Sequence, residues 1–345
     1  MSLEEFYHQW NDSDPRLLVH TSGSTGAPKP LWVEKARMRA SARITCEFLQ
    51  LEEGDTALLC LPLDYIAGKM MAVRAWEWHL RLLAVTPDSH PMAALAREYP
   101  EVTDVTFAAM IPMQVVRSLE DEQETADLKA IKNLIIGGGA INDTLANTLR
   151  SFPNAVYSTY GMTETLSHVA LRRLSGPEAS LWYTPFNGVT ISLDNDQRIV
   201  IEAPEVCAER LVTNDIGEMN VDGRLFRVLG RADNVICTGG IKVQAEEVER
   251  LLSDVISEPY FVTATPDIAL GQVVTIVVQK EHHHDLSDSS NVDESPEHWL
   301  RRHHDTFVRL LPPYWCPRKA LFVNRLPMTE TGKIIRRIPI IEPLI

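Results

Sequence analysis

The chain has 345 residues and a formal net charge of −14, with 45% hydrophobic and 23% charged residues. That length accommodates two domains and a sizeable core, and the composition is that of an ordinary globular protein. The acidic balance argues against a nucleic-acid or anionic-membrane surface, because such partners reward positive charge, yet it leaves room for a locally basic pocket. The cysteines, Cys46, Cys60, Cys207, Cys237 and Cys316, include no C-x-x-C pair, as expected of reduced thiols rather than a disulfide frame. The opening MSLEEFYHQW has neither a basic nor an apolar leader region, and no run reaches membrane-spanning length. The expected location is the cytoplasm.

Two strand-like runs, Leu17 to His20 and Leu31 to Val33, bracket TSGSTGAPK at 21–29. Gly23, Gly26 and Lys29 give the spacing G-x-x-G-x-x-K. A Walker loop instead needs its lysine directly after the second glycine, with a helix following. Pro28 and Pro30 discourage an immediate helix, so the loop is expected to join two strands. Its backbone N–H groups can converge on an anion, and Thr21, Ser22, Ser24 and Thr25 add hydroxyl donors. An ordinary Ser/Gly turn has the same composition.

Further on, the apolar pattern predicts a helix over 34–51 and a buried strand over 56–63, then a helix through GKMMAVRAWEWHL. LRLLAVTP reads as a strand and MAALAREYP as a helix; DVTFAAMIP is a strand ending at a helix start, and NLIIGGGA a strand ending in glycine. INDTLANTLRSFP is helical, with Asn142 or Asp143 as its cap, and AVYSTYG is again a strand. This alternation predicts an α/β fold with a layered, mostly parallel sheet. Beyond about residue 175, hairpins around Asp194-Asn195-Asp196 and Asp222-Gly223 predict a small antiparallel β-rich subdomain. A small α+β C-terminal domain follows, with helices near 244–253 and 294–310 and strands near 259–265 and 272–279. The polar stretch 281–294 reads as a mobile loop. His282-His283-His284 and His303-His304 lack a second set of spaced ligands, so no metal site is expected there. Trp76, Trp78 and Trp315 read as packing residues.

TSGSTGAPK (21–29), YGMTET (160–165), TNDIGEMNVDGRLFRVLGRADN (213–234), GGIKV (239–243) and PMTETGKIIRR (327–337) occur in this order. Together they resemble the adenylate-forming superfamily of acyl- and aryl-CoA synthetases, luciferases and non-ribosomal adenylation domains. The resemblance implies ATP-dependent activation of a carboxylic acid as an acyl-adenylate, then displacement of AMP by coenzyme A. The chemistry is an in-line attack on the α-phosphorus, in which positioning and neutralisation of charge dominate.

By resemblance, Lys333 is the catalytic lysine, Thr163 contacts the α-phosphate and Glu164 supplies an oxygen ligand for Mg²⁺. Tyr160 and Gly161, with Gly138, Gly139 and Ala140, would receive the adenine, Asp215 the ribose hydroxyls, and Arg231 the nucleotide. Asp233 stands at the family's hinge, dividing a nucleotide- and acid-binding domain (1–232) from a mobile C-terminal domain (233–345). Rotation there would withdraw Lys333 and bring Gly239, Gly240 and Lys242 to the coenzyme A channel.

LPLDYIAGKMMAVRAW (61–76) resembles the family's acid-pocket motif, with Tyr65 where many relatives have histidine. With Gly68, Lys69 and Arg74 it most resembles o-succinylbenzoate–CoA ligases of menaquinone synthesis. That substrate has two carboxylates: one is activated, and the other needs a partner such as an arginine. Lys69 and Arg74 are about 140° apart on a helix, so they do not share one narrow face, and Arg74 is favoured. Long family members carry another subdomain before the phosphate loop, so the chain reads as a short form in which dimerisation and the outer pocket wall are open. Another aryl or acyl acid remains an alternative, as does a silent nucleotide-binding regulator descended from such a ligase.

Overall fold

The computed structural model describes residues 1–20, 30–280, 294–328 and 334–336. Helix α1 (Leu3–Asn11) starts on a capping box. The Ser2 hydroxyl accepts from Glu5 N at 3.1 Å, and the Glu5 carboxylate accepts from Ser2 N at 2.8 Å. Strands β1 (Arg16–His20) and β2 (Pro30–Glu34) then pair antiparallel, with His20 opposite Pro30. Segment 21–29, expected as a loop joining two strands, lies outside the described residues; the strands on either side of it are present.

The next stretch alternates helix and strand: α2 (Lys35–Phe48), β3 (Thr56–Leu59), α3 (Ile66–Glu77), β4 (Arg81–Ala84), α4 (Pro91–Glu98), β5 (Phe107–Met110), α5 (Pro112–Ser118), α6 (Glu122–Ala130), β6 (Asn133–Ile136), α7 (Asp143–Arg150) and β7 (Ala155–Gly161). Two antiparallel strands, β8 (His168–Arg173) and β9 (Thr184–Pro185), complete a sheet ordered β4-β3-β5-β6-β7-β8-β9. The pairings from β4 to β7 are parallel.

Side-chain alternation in the short strands explains the layers. Ala57, Leu59, Phe107, Ala109 and Ile135 pack with Met38, Ala42 and Met70 of α2 and α3. Their neighbours Leu58, Ala108, Met110, Leu134 and Ile136 pack with Met92, Val115, Leu128 and Leu145 of α4 to α7. A parallel sheet is thus buried on both faces.

Strands β10 (Thr190–Leu193), β11 (Arg198–Glu202), β12 (Leu211–Met219) and β13 (Phe226–Arg231) form an antiparallel sheet in that order. Beyond it come β14 (Val235–Thr238), β15 (Ile241–Gln244), α8 (Ala245–Leu252), β16 (Tyr260–Asp267), β17 (Gly271–Gln279), α9 (Pro296–Leu310) and β18 (Lys319–Val323). Their sheet runs β15-β14-β17-β16, with β18 parallel to β17. It has its own core, including Ile236, Val248, Val262, Ile276, Trp299 and Phe307, separate from the clusters that extend to Phe226.

Several boundaries differ from expectation. The strand predicted over 56–63 ends at Leu59, because the Leu61-Pro62 backbone bends to receive α3. A Cβ on Gly68 would stand 2.3 Å from the Pro62 carbonyl oxygen and 2.8 Å from that of Leu61. Helices α1 and α6 lie outside the expected elements; α1 carries the Ser2-x-x-Glu5 capping signal, whereas α6 (EQETADLKA) buries only Glu124 and Leu128. Asn142, rather than Asp143, caps α7, accepting from Leu145 N at 2.8 Å. Residues 281–293, including the His282–His284 run, lie outside the described residues. Among those described, no helix is long and apolar enough to cross a membrane. Trp76 packs on Phe6 and Tyr7, each at 5.3 Å, and Trp78 Nε1 donates to Leu51 O at 2.7 Å.

The close approach at Gly68 makes a specific demand. Gly68→Ala is expected to destabilise the fold by about 1–3 kcal/mol through overpacking, read as a lower midpoint in urea unfolding. An unchanged midpoint would contradict this account of the α3 contact.

Candidate active site

Parallel strands end on one side of the sheet, and ligands of such sheets bind beyond those carboxyl ends. Here that edge carries Cys60 to Tyr65 after β3, Ile111 after β5, Gly137 to Ala140 after β6, and Gly161 to Glu164 after β7. Because β6 and β7 are paired neighbours, Gly138, Gly139 and Ala140 come beside Tyr160 and Gly161. Thr163 is buried and Glu164 exposed on a single 3₁₀ turn that continues from β7.

Tyr160 is buried, with its ring 5.8 Å from Tyr183 and 5.1 Å from Phe226. Its hydroxyl donates to Asp215 Oδ2 at 3.0 Å. Burial first, and then the Asp215 charge, push the phenol above its ordinary range, so it stays a donor. Asp215 on β12 lies opposite Arg231 on β13, whose Nη1 donates to Asp215 Oδ1 at 3.3 Å. Arg231 Nη2 also donates to Asp233 Oδ2 at 3.2 Å, and Asn214 Nδ2 donates to the same oxygen at 2.5 Å. The Asn214 contact and then Arg231 hold the Asp233 carboxyl below its usual value. Four residues singled out in the sequence therefore form one hydrogen-bonded line from the sheet edge to the start of the C-terminal lobe.

At that boundary Gln244 Nε2 donates to the Arg231 carbonyl at 3.0 Å, and Asn234 donates to Glu246. Lys333 lies outside the described residues, as do Thr21, Ser22, Gly23, Ser24, Thr25, Gly26 and Lys29. The residues after Lys333 are anchored: Ile335 N donates to Pro327 O at 2.8 Å, and Arg336 Nη2 to Glu249 Oε2 at 2.7 Å. Gly239 and Gly240, with φ of 56° and 82°, form the two-residue turn between β14 and β15. Such a turn itself calls for glycine at both positions. Lys242 is exposed, opposite Cys237.

Of the residues expected in the acid pocket, Tyr65 stands partly exposed at the start of α3. Lys69 and Arg74 are both buried but in different surroundings. Lys69 Nζ donates to the Leu63 carbonyl and sits 5.6 Å from the Phe6 ring centre; burial lowers its pKa. Arg74, 1% exposed, donates from Nη2 to Ser167 Oγ at 2.7 Å and weakly from Nη1 to Met71 Sδ at 3.9 Å. Its Nε has no partner among the described residues. Burial pushes Arg74 down to about 10, which leaves it a cation at neutral pH. Its titratable neighbours add no negative charge, because burial pushes the Cys46 thiol up to about 12 and His168 is held neutral.

Ser167 links this cation to the nucleotide edge. A Cβ on Gly161 would lie 2.2 Å from the Ser167 carbonyl oxygen, and Thr165 Oγ1 donates to that oxygen at 2.7 Å. Ser167, Asn214, and the buried His168 and Thr45, whose Nε2 and Oγ1 are 3.2 Å apart, are the participants that sequence reasoning missed. Ser167 and His168 directly follow the YGMTET segment and its leucine, a proximity that was the only available signal.

The family model described as AMP-binding enzyme matches residues 4–225. A solved acyl-CoA synthetase (AMP-forming)/AMP-acid ligase II-like protein from Dyadobacter fermentans is 33% identical, with a TM-score of 0.63, over 96% of this chain and 90% of that one. The chain belongs to the AMP-binding enzyme family. Among curated AMP-binding relatives, the 2-succinylbenzoate–CoA ligase of Bacillus mycoides is 25% identical over 93% of this chain and 68% of its own length. The o-succinylbenzoate coenzyme A synthetase of Bacillus subtilis, solved with ATP and magnesium, has a TM-score of 0.71 at 22% identity, over 92% of this chain and 68% of that one. This family member thus has the adenylate-forming fold and spans about two thirds of those two ligases.

The buried imidazole has a measurable consequence. Burial, and then Arg74, hold His168 well below the ordinary imidazole value of about 6.5. In the unfolded chain it takes up a proton below that value, while the folded protein does not. The stability contributed by the neutral ring is therefore complete above about pH 6.5 and falls by roughly 1.4 kcal/mol per pH unit below it. Denaturant titrations between about pH 7.5 and pH 5 should show this slope in the wild type relative to His168→Gln; parallel profiles would contradict it.

Proposed function

We propose that this AMP-forming acid–CoA ligase takes o-succinylbenzoate, activates one carboxylate as an acyl-adenylate, and binds the other at Arg74 before transfer to coenzyme A. The observation that carries the acid assignment is Arg74 itself: a buried cation with no ion-pair partner among the described residues, next to the Tyr160–Glu164 edge. A buried charge without a counter-charge is costly, and a second substrate carboxylate would offset that cost while gaining charge-assisted hydrogen bonds. A neutral aryl acid offers no such compensation. The names of the similar ligases support the same acid, and their chemistry corresponds to a place in menaquinone synthesis.

In this reading the Gly138–Ala140 segment and Tyr160 receive the adenine, and Asp215, oriented by Tyr160 and Arg231, takes the ribose hydroxyls. Thr163 and the 21–29 loop face the phosphates. Glu164 is a single exposed carboxylate, and no group of three or more metal-ligating side chains occurs among the described residues. That suits Mg²⁺, which is commonly held by one or two carboxylates together with substrate phosphates. When bound, Mg²⁺ supplies charge neutralisation at the triphosphate.

Lys333 brings a positive charge to the point where the acid oxygen meets the α-phosphorus. Residues 1–232 and 233–345 act as two domains hinged at Asp233, consistent with their separate cores. The Gly239–Lys242 hairpin takes the place of Lys333 for the coenzyme A step.

Pyrophosphate exchange should be stimulated by o-succinylbenzoate and only weakly by benzoate. Arg74→Met should reduce kcat/KM for o-succinylbenzoate about 100-fold or more while leaving the unfolding midpoint equal or higher, because an apolar isostere removes the buried charge. An equal loss with benzoate would show that Arg74 serves the fold rather than the acid. ATP binding without exchange for any carboxylic acid would contradict the ligase reading.

The lysine is tested separately. Lys333→Ala should abolish adenylation yet retain thioester formation from supplied acyl-adenylate and coenzyme A. Loss of both half-reactions would contradict the division of labour between Lys333 and the Gly239–Lys242 hairpin.

A further inference from the structure

A hydrogen-bonded line runs from Arg74 on α3, through the start of β8, to α2. Arg74 Nη2 is 2.7 Å from Ser167 Oγ, and Ser167 Oγ is 3.1 Å from His168 Nδ1. His168 Nε2 is 3.2 Å from Thr45 Oγ1, which is 3.0 Å from the Ser41 carbonyl oxygen. Arg74, His168, Thr45 and Ser41 are all buried.

The two ends fix the direction of every proton between them. A guanidinium only donates, so Ser167 Oγ accepts from Arg74 and turns its own proton toward His168 Nδ1. A carbonyl only accepts, so Thr45 gives its proton to Ser41 and receives one from His168 Nε2. The ring between them is neutral and carries its proton on Nε2. An imidazolium would place a second buried cation beside Arg74, with no negative charge to offset either.

We propose that His168 is a positioning residue for acid specificity. As the Nε2–H tautomer it turns the Ser167 lone pairs toward Arg74, and so aims the remaining guanidinium N–H groups at the substrate's second carboxylate. This rests on the reading of Arg74 as the partner of that carboxylate. It also gives Ser167 a definite role, since its one proton is committed to His168 and it serves Arg74 as an acceptor. Without an acceptor at position 168, the Ser167 hydroxyl is free to rotate, and Arg74 loses the one side-chain oxygen that holds it among the described residues. His168 also packs edge-on against Phe186 at 5.4 Å, so a packing role must be told apart from a positioning role.

Two variants and one spectrum make that distinction. His168→Leu fills the space but accepts nothing, whereas His168→Gln can accept from Ser167 and donate to Thr45. His168→Leu should raise the KM for o-succinylbenzoate roughly ten- to hundredfold with a much smaller change for benzoate, and His168→Gln should restore most of that loss. Equal effects on the two acids, or no effect in His168→Leu, would overturn the proposal. Independently of any substrate, ¹⁵N-edited NMR of the wild-type imidazole should show the Nε2–H tautomer, unchanged between about pH 8 and pH 6. An Nδ1–H ring or an imidazolium in that range would also overturn it. If the wild type does not turn over o-succinylbenzoate, the acid reading falls and takes this inference with it. Normal wild-type turnover with an insensitive His168→Leu removes this inference alone.

Discussion

The buried charge on Arg74, without an ion-pair partner among the described residues, is the constraint on which the proposed acid site depends. Its guanidinium is sealed between α3 and the start of β8, and its neighbours are a serine, a thioether, a neutral thiol and a neutral imidazole. None of them cancels the charge, and an arginine cannot escape burial by losing its proton at neutral pH. In the proposed reading this buried charge is what the second substrate carboxylate meets, and binding it would relieve an electrostatic cost. This is preorganisation: the donors are fixed before the ligand arrives, so less of the interaction is spent on ordering them.

At the same sheet edge the proposed nucleotide side is built by a different device. Tyr160, Asp215, Arg231 and Asp233 are joined through hydrogen bonds across β7, β12 and β13. This line ends where Gln244 and Glu246 tie the C-terminal lobe to the β13 end. Gly161 lets the Ser167 backbone approach closely enough for the two sides to share one turn. The proposed acid and nucleotide sites thus meet at residues 160–168, where side chains from α2, α3, β7 and β8 converge.

Much of this was legible from residues alone. The α/β alternation, both hairpins, a cap at Asn142 or Asp143 and the AVYSTYG strand follow from periodicity and turn chemistry; the structure has each of them, with Asn142 as the cap. The Tyr160, Asp215 and Arg231 constellation was visible only as ordered motifs; its contacts depend on the pairing of β12 with β13 and on a side-chain hydrogen bond between positions 55 residues apart. The partners of Arg74 were not legible, because Thr45, Ser167 and His168 come from two distant segments and each alone looks like an ordinary polar residue. Helix α6 escaped notice because its charged sequence buries one short face, and the end of β3 was misplaced because an apolar run cannot tell a strand from a bend packed under a helix. For Gly239 and Gly240, the hairpin supplies a sufficient structural reason beside the functional one.

The most direct measurement is a crystal structure with o-succinylbenzoate and a non-hydrolysable ATP analogue bound. The account predicts one carboxylate within hydrogen-bonding distance, about 2.7–3.2 Å, of Arg74, and the other directed past Tyr160 toward the nucleotide. A dicarboxylate bound with both carboxylates away from Arg74, or Arg74 satisfied by a side chain of the protein in that complex, would contradict it.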